Sequence, residues 1–339
     1  MPFTPLLASG AWPPGNSWVL RDHKIVYVST TKVSCSSLRW MIADLAGEDF
    51  TSFYRAPGDH QTRLMTIHAH RDTWEHAPQI KHVPPEQRAE ISRDNGWFIF
   101  AVVRDPWTRL FSAWQSKLLV RHASYVARYA DQPWFPRVPK TPEDVLTDWR
   151  TFVRATPWLS HAELRRDPHF MPQVDSVHPD IVNYSRIYSL SEMRELQGDL
   201  HAHLAGLGRD QELYLPRANE SPLRMTRECL DAETAAAIAE AYRVDFVAFP
   251  GRWELAELRL SDAPWTADAI DSVGYHGVAN ERIGDLSREL RAIRDELREA
   301  RRQLRAFERE ARWTRWAPGI AVQGARQARA AYRARRSET

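Results

Sequence analysis

An uninterrupted apolar run, W-F-I-F-A-V-V at residues 97–103, sets the strongest limit on how this chain folds. A run of this kind predicts a strand covered on both faces, as in the middle of a parallel sheet. The run ends at Arg104, and Asp105 and Pro106 are typical of the N-cap and the first residue of a helix. The sequence therefore predicts an α/β fold in which this strand leads directly into a helix.

A second strand-to-helix connection is predicted in residues 24–41. The run I-V-Y-V is typical of a short buried strand, and the polar loop at 29–37 precedes apolar residues at helical spacing. If the helix begins near Ser34, its unpaired N–H groups and positive dipole end form an anion site, beside which Lys32 adds a charge. The loop lacks glycine and does not fit G-x-x-x-x-G-K-[ST], the usual nucleoside triphosphate loop. The alternative is an ordinary connection that carries a solvated lysine.

Both connections are expected at one edge of the sheet, where ligands of open α/β sheets bind. Lys32 with the loop serines forms one group of anion ligands. Arg104 with Ser112, two turns into the following helix, forms the other. The two groups together predict a ligand with two separate phosphate-like groups.

The charge distribution argues against a general nucleic-acid surface. The formal charge is +2; from residue 281 onward 16 Arg stand against 9 Asp and Glu, or +7, which leaves 2 − 7 = −5 for residues 1–280. Cys35 and Cys229 are too few for a disulfide framework, and the first residues lack the features of a secretory signal. We therefore expect a cytoplasmic protein that does not bind nucleic acid.

A polar segment at residues 47–85 is rich in histidine. Its spacing does not match a metal-binding pattern such as H-E-x-x-H, so we expect no metal. A histidine can accept a hydroxyl proton near neutral pH, which makes a general base the more informative role. The histidines of this segment are His60, His68, His70, His76 and His82.

Two stretches read K-V-S-C-S-S-L-R at residues 32–39 and R-D-P-W-T-R-L-F-S-A-W-Q-S-K at residues 104–117. They resemble the two nucleotide-binding signatures of the carbohydrate sulfotransferases, in the family that contains the chondroitin 4-O-sulfotransferases. The family patterns are approximately K-V-x-C-[TS]-x-x-[KR] and R-[DE]-P-x-x-R-x-x-S-A-x-x-x-K. Three further motifs agree in order, namely H-F-M-P at 169–172, L-P-R-A-N at 215–219 and Y-R-V-D-F at 242–246 with Phe249.

The resemblance implies a three-layer, P-loop-like α/β fold with a central parallel sheet. It also implies transfer of the sulfuryl group of 3′-phosphoadenosine 5′-phosphosulfate (PAPS) to a hydroxyl of a carbohydrate or glycoconjugate. Animal members carry a membrane anchor and disulfides that this sequence lacks, which favours a soluble bacterial relative. The acceptor stays open among a cell-surface glycan precursor, a glycolipid and a glycosylated metabolite.

Residue roles follow from the same resemblance. Lys32 is implied as the catalytic group that stabilises the leaving phosphate, while Arg104 and Ser112 are implied to hold the 3′-phosphate. As the base, the resemblance favours His70 over His68, and His169 is the third candidate. The other residues implied in donor binding are Val33, Ser34, Cys35, Ser36, Ser37 and Arg217.

The C-terminal part of the chain changes character at residue 281. Apolar residues there alternate at intervals of three and four, which predicts a coiled coil and a homo-oligomer. The alternative is a long amphipathic helix that folds back on the main domain. The apolar residues are Ile283, Leu286, Leu290, Ile293, Leu297, Ala300, Leu304 and Phe307.

The predicted organisation therefore has five parts. Trp313 and Trp316 beside several arginines favour peripheral contact of the last part with the inner membrane surface, the alternative being a disordered tail. The parts are an irregular lead-in at 1–23, a sulfotransferase domain at 24–255, a linker at 256–280, a coiled-coil helix at 281–312 and a basic tail at 313–339.

Two other functions stay open at this point. A P-loop kinase that uses ATP and magnesium is disfavoured, because the first loop lacks glycines and a Lys-Ser or Lys-Thr pair. The second alternative is a non-catalytic coiled-coil scaffold whose α/β domain only binds a nucleotide or glycan.

Overall fold

The computed structural model describes residues 5–7, 14–55, 62–68, 74–218 and 221–336. In the last helix, side chains are described as far as residue 309 and at residues 323, 324, 326 and 327. The chain divides into two compact units, Met1–Gly284 and Asp285–Thr339. The first unit contains the sheet, and residues 285–336 of the second unit belong to one helix.

The sheet of the first unit has four strands in the described residues, in the order β1 (Ser17–Leu20), β2 (Ile25–Val28), β3 (Phe98–Val103) and β4 (Arg186–Ser189). Strands β2, β3 and β4 are parallel, and the α/β fold is confirmed. Strand β1 is antiparallel to β2, so the sheet is mixed rather than wholly parallel.

Strand β1 also corrects the prediction that residues 1–23 are irregular. A short turn joins Leu20 to Ile25, with Lys24 in the left-handed region at φ 48° and its N–H bonded to the Arg21 carbonyl at 3.0 Å. This turn folds the lead-in back as a hairpin strand. All four residues of β1 are buried, so their apolar side chains are part of the core.

The helices fall mostly in the segments between and after the strands. Short 3₁₀ helices span Arg63–His68, Ile80–His82, Arg93–Asn95, Leu190–Glu192, Arg227–Cys229 and Leu255–Glu257, and a π-helical turn spans Gln115–Leu119. The α-helices are α1 (Cys35–Ala46), α2 (Phe50–Tyr54), α3 (Pro85–Ala89), α4 (Pro106–Trp114), α5 (Ala123–Tyr129), α6 (Pro142–Ala155), α7 (Pro157–Ser160), α8 (Ala162–Arg165), α9 (Val174–Val177), α10 (Met193–Gly206), α11 (Ala232–Ala241), α12 (Arg243–Ala248) and α13 (Ala267–Arg336).

Both faces of the sheet are buried. On one face, Tyr27 and Phe100 pack with Met41 of α1 and Leu200 of α10. On the other face, strand residues join a separate cluster that includes Val177 and Phe249. Burial on both faces explains why β2 and β3 are continuously apolar instead of alternating. The more specific three-layer arrangement stays a prediction.

Helix α4 is fixed by an aromatic cluster. Trp114 packs against Trp149 of α6 with ring centroids 5.3 Å apart, and Phe111 meets the same ring at 5.1 Å. The indole N–H of Trp107 donates to the Ala235 carbonyl of α11 at 3.0 Å. Close packing of this kind holds α4 in one orientation and therefore fixes the residues at its N-terminus.

The last helix begins within residues 256–280, which the sequence analysis predicted to be a linker. Helix α13 begins at Ala267, because Ile270 and Val273 are fully buried in the aromatic cluster of α4. The predicted coiled-coil segment is helical, but the coiled coil itself stays a prediction because the structure contains one chain. The helix continues to Arg336, while the side chains of Trp313 and Trp316 lie outside the described residues. In the described part of the chain, no helix combines the length and the apolar character needed to cross a lipid bilayer.

Candidate active site

The first loop forms a strained connection between β2 and α1. Lys32 and Ser34 both have left-handed backbones, at φ 67° and 61°, which costs roughly 1–3 kcal/mol for each non-glycine residue. Ser34 is the N-cap of α1, as the sequence predicted, yet its side chain makes no capping hydrogen bond. The first N–H groups of α1 are therefore available to an anion.

The second turn lies directly beside the first. Asp105 is the N-cap of α4 and accepts from the Thr108 N–H at 2.7 Å. The Arg104 guanidinium donates through Nε to Thr108 Oγ1 at 2.8 Å and through Nη1 to the Lys32 carbonyl at 3.2 Å. Arg104 thus links the two loops, and both Lys32 and Arg104 line one cleft of about 920 Å³.

Positive charge dominates this cleft. The described residues that line it include no Asp or Glu. Burial, followed by repulsion from Lys117, lowers the pKa of Lys32 from 10.5 to about 7, and burial also lowers the pKa of Arg104. The basic residues of the lining are Lys32, Arg39, Arg104, Lys117, Arg217, Arg224 and Arg259.

Three cations in this region, Arg109 buried and Lys32 and Arg104 partly buried, form no ion pair among the described residues. Lys32 donates to Ser116 Oγ at 2.7 Å, and Arg104 makes the contacts described above. Arg109 is 1% exposed, and it donates to the carbonyls of Thr31, Met171 and Pro168 at 3.0–3.2 Å. Burying a cation without a carboxylate is unfavourable unless an anion is supplied from elsewhere. The arrangement is chemically suited to a ligand with several negative charges.

The other residues predicted for the donor are placed as follows. Ser34, Cys35, Ser36 and Ser37 line the cleft, whereas Val33 is fully buried in the sheet core. Ser112 also lines the cleft, with its Oγ 2.7 Å from Ser221 Oγ. Arg217 is exposed at the rim. His70, His60 and Asn219 lie outside the described residues.

His68 has both ring nitrogens engaged. Nδ1 lies 2.6 Å from Arg39 Nη1, and Nε2 lies 2.8 Å from Ser36 Oγ. Because a guanidinium only donates, Nδ1 accepts and the ring proton lies on Nε2, which donates to Ser36. The ring-nitrogen lone pair of this tautomer is therefore already occupied.

His169 is arranged differently. Its Nδ1 lies 2.8 Å from Asp167 Oδ1, and the Tyr125 hydroxyl donates to the other oxygen of Asp167. Burial raises the pKa of Asp167, but the hydrogen bonds from His169 and Tyr125, together with the charge interaction with His169, outweigh it and bring the pKa to about 2. Burial and the charge of Lys117 lower the pKa of His169 to about 3.

The His169 ring is therefore neutral, with its proton on Nδ1 and a lone pair on Nε2. The described residues supply no hydrogen-bond partner for Nε2, and His169 lines the cleft with 27% of its side chain exposed. A histidine oriented by a carboxylate in this way has the geometry of a general base. His169 also lies close enough to Lys32 for the lysine charge to contribute to its low pKa.

Sequence reasoning did not single out Arg109, Ser116, Lys117 or Asp167. The first three were visible, because they stand within the second motif at 104–117. Asp167 had no motif of its own; its role depends on packing with Tyr125 and His169 that the sequence does not reveal. In the described residues, no three His, Cys, Asp or Glu side chains are grouped as metal ligands.

The fold and the cleft define an α/β protein in which two strand-to-helix turns present unpaired cations to one anion site. The model of the sulfotransferase family matches residues 16–250, and the chain belongs to the sulfotransferase family. The match includes the four strands and the two loops of the cleft. No curated protein matches the chain.

Proposed function

We propose that this chain transfers the sulfuryl group of PAPS to a hydroxyl of a carbohydrate or glycoconjugate. The family generally uses PAPS as its sulfate donor. The observation that carries the proposal for this chain is the group of cations without ion pairs, partly or fully buried, at two adjoining loops. Their separation into two groups matches a nucleotide with a 3′-phosphate and a 5′-phosphosulfate.

In the proposed complex, the first loop holds the 5′-phosphosulfate through the N–H groups of α1 and the hydroxyls of Ser36 and Ser37. Arg104 and Ser112 hold the 3′-phosphate, and Arg217 covers the nucleotide. The acceptor oxygen bonds to sulfur as the bond from sulfur to the phosphate oxygen breaks. Lys32 stabilises the charge that develops on the leaving adenosine 3′,5′-bisphosphate.

The acceptor hydroxyl proton passes to a histidine, for which His169 has the better geometry among the described residues. Its Nε2 lone pair is available, whereas the corresponding lone pair of His68 accepts from Arg39. Burial is the largest cause of the low pKa of His169, and the positive charges of Lys117 and Lys32 lower that pKa further. A bound anionic donor offsets the lysine charges and raises that pKa toward the range useful for a base.

Space and aromatic surface support a carbohydrate acceptor. The cleft is at the upper end of the roughly 300–1,000 Å³ usual for ligand sites. A neighbouring hollow of about 340 Å³ shares Arg39 and His68 with the cleft, and it is lined by Trp18 and Trp74. Polar groups beside aromatic surfaces are common in sites that hold small molecules by both kinds of contact.

A transfer assay tests the proposal. The chain is incubated with PAPS carrying labelled sulfate and with a panel of acidic and neutral glycans, in the presence of EDTA. We expect label on at least one glycan. Labelling from ATP with magnesium instead would indicate a kinase, and donor binding without transfer to any glycan would indicate the scaffold; both results contradict the proposal.

Replacing the base should affect turnover and leave donor binding intact. For His169→Asn we expect kcat to fall by about 10²–10⁴-fold, because the proton acceptor is lost, with little change in affinity for adenosine 3′,5′-bisphosphate. His68→Asn and His70→Asn are the matched variants. Full activity in His169→Asn together with loss in His70→Asn would assign the base to His70, as the sequence predicted.

The low pKa of Lys32 predicts that donor binding depends on pH. Below pH 7 the amine is already protonated, so the affinity is constant; above pH 7 binding must take up a proton, and affinity falls by up to about tenfold in all. Calorimetry of adenosine 3′,5′-bisphosphate binding at pH 7.5, in two buffers of different ionisation enthalpy, should detect uptake of about half a proton by the natural chain. Lys32→Arg should abolish the uptake. Identical heats in both buffers for the natural chain would contradict the assignment.

We also propose that the protein is cytoplasmic and that its basic tail contacts an anionic membrane surface. The composition of residues 313–339 supports the membrane contact.

A further inference from the structure

Helix α13 carries an exposed apolar row along residues 286–307. Ile293 is 60% exposed and Phe307 is 69% exposed, although both are large apolar side chains. The row repeats at intervals of three and four, so it follows one side of the helix. A continuous exposed row of this kind marks a surface for a partner. In heptad letters, position a is Leu290, Leu297 and Leu304, and position d is Leu286, Ile293, Ala300 and Phe307.

Four charges flank this row. Glu289 and Glu296 occupy position g on one side, and Arg294 and Arg301 occupy position e on the other. None of the four forms an ion pair within the described residues. The ion pairs that this part of the helix does form lie on its outer side, at positions b, c and f, and they are Arg288–Asp285, Arg298–Asp295 and Arg302–Glu299. The charges beside the apolar row are therefore left for another chain.

The pattern of these charges fits only one orientation of a second identical helix. In a parallel, in-register pair, each g residue faces the e residue five positions later in the partner. Glu289 then meets the partner's Arg294, and Glu296 meets the partner's Arg301, in each case twice. In an antiparallel pair, g faces g and e faces e, so Glu would meet Glu and Arg would meet Arg.

We propose that residues 286–308 form a parallel, in-register coiled coil with a second copy of this chain. The apolar row supplies the contact area, and the flanking charges fix direction and register. This pairing does not depend on the proposed reaction, so its failure leaves the assignment of the cleft unaffected.

Charge reversal in the full-length chain tests the proposal. Sedimentation equilibrium should give twice the mass of one chain for the natural protein. Glu289→Arg with Glu296→Arg should weaken association at least tenfold, since like charges then face each other. Arg294→Glu with Arg301→Glu should do the same, and mixing the two variants should restore association. The matched control, Arg288→Glu with Arg298→Glu on the outer side, should associate normally.

Cysteine pairing tests the direction independently. Leu286→Cys should form an intermolecular disulfide with itself under mild oxidation, because identical d positions face each other in a parallel pair. The background is low, since Cys35 and Cys229 are both buried. A natural chain that stays monomeric at tens of micromolar would overturn the proposal. So would a disulfide that forms only when Leu286→Cys is mixed with Leu304→Cys, because an antiparallel pair places the d position 286 opposite the a position 304.

Discussion

A Lys32→Ala variant is expected to transfer sulfate about 10²–10³ times more slowly than the natural chain. The lysine charge matters most when negative charge develops on the leaving phosphate, which happens in the transition state and not in the bound ground state. Affinity for adenosine 3′,5′-bisphosphate should fall by no more than about tenfold, because Arg104 and the loop N–H groups remain. Steady-state kinetics with labelled donor, combined with calorimetry, measures both effects.

The fold should tolerate this change. Lys32 is a partly buried cation without an ion pair in the described residues, so its removal relieves its desolvation and its repulsion from Lys117 and Arg104. The melting temperature of Lys32→Ala should therefore equal or exceed that of the natural chain. Lys24→Ala is the matched control, because the Lys24 side chain donates to the Asn95 carbonyl, away from the site, and does not line the cleft. If kcat of Lys32→Ala equals that of the natural chain, Lys32 does not take part in the mechanism.

Replacing Arg109 should have the largest effect on stability. Arg109→Met leaves the carbonyls of Thr31 and Met171 without their donor, at roughly 1–3 kcal/mol each, so we expect a loss of about 2–5 kcal/mol in the free energy of unfolding. The Pro168 carbonyl keeps the hydrogen bond from the Thr31 hydroxyl. Arg109→Lys should be intermediate, since an ammonium cannot reproduce the planar fork of donors. Urea unfolding followed by tryptophan fluorescence measures the shift in midpoint.

An exposed arginine serves as the control for this experiment. Arg227 pairs with Asp262 at 2.7 Å, but the two side chains are 71% and 79% exposed. Arg227→Ala should therefore change stability by no more than about 1 kcal/mol. A loss in Arg109→Met that is no larger than the loss in Arg227→Ala would mean that the carbonyls of the first loop and of the His169 segment do not depend on Arg109.

The parts of the site that the sequence predicted are those governed by local rules. Asp105 and Pro106 indicated the start of α4 because capping depends on neighbouring residues alone. The apolar runs before Thr30 and Arg104 indicated strands for the same reason. Lys32 and Arg104 could be placed at one cleft because the carboxyl ends of parallel strands lie at the same edge of the sheet.

The parts that the sequence did not predict depend on contacts between distant residues. Pairing of β1 with β2 depends on the sheet edge being available, which the short run S-W-V-L at residues 17–20 does not reveal. The orientation of His169 depends on Asp167 and Tyr125, and Tyr125 lies 42 positions before Asp167 and 44 positions before His169 in the sequence. The early start of α13 is decided by burial of Ile270 against the aromatic cluster of α4, a tertiary contact that outweighs local signals.

The central claim, that two adjoining loops hold the two ends of one nucleotide, is tested most directly by calorimetry with EDTA present. The natural chain should bind adenosine 3′,5′-bisphosphate roughly 100-fold more tightly than 5′-AMP, given two charge-assisted hydrogen bonds of about 1.5 kcal/mol each to the 3′-phosphate. In Arg104→Ala most of that preference should disappear. Equal affinity of the natural chain for the two nucleotides, or an unchanged preference in Arg104→Ala, would contradict the account.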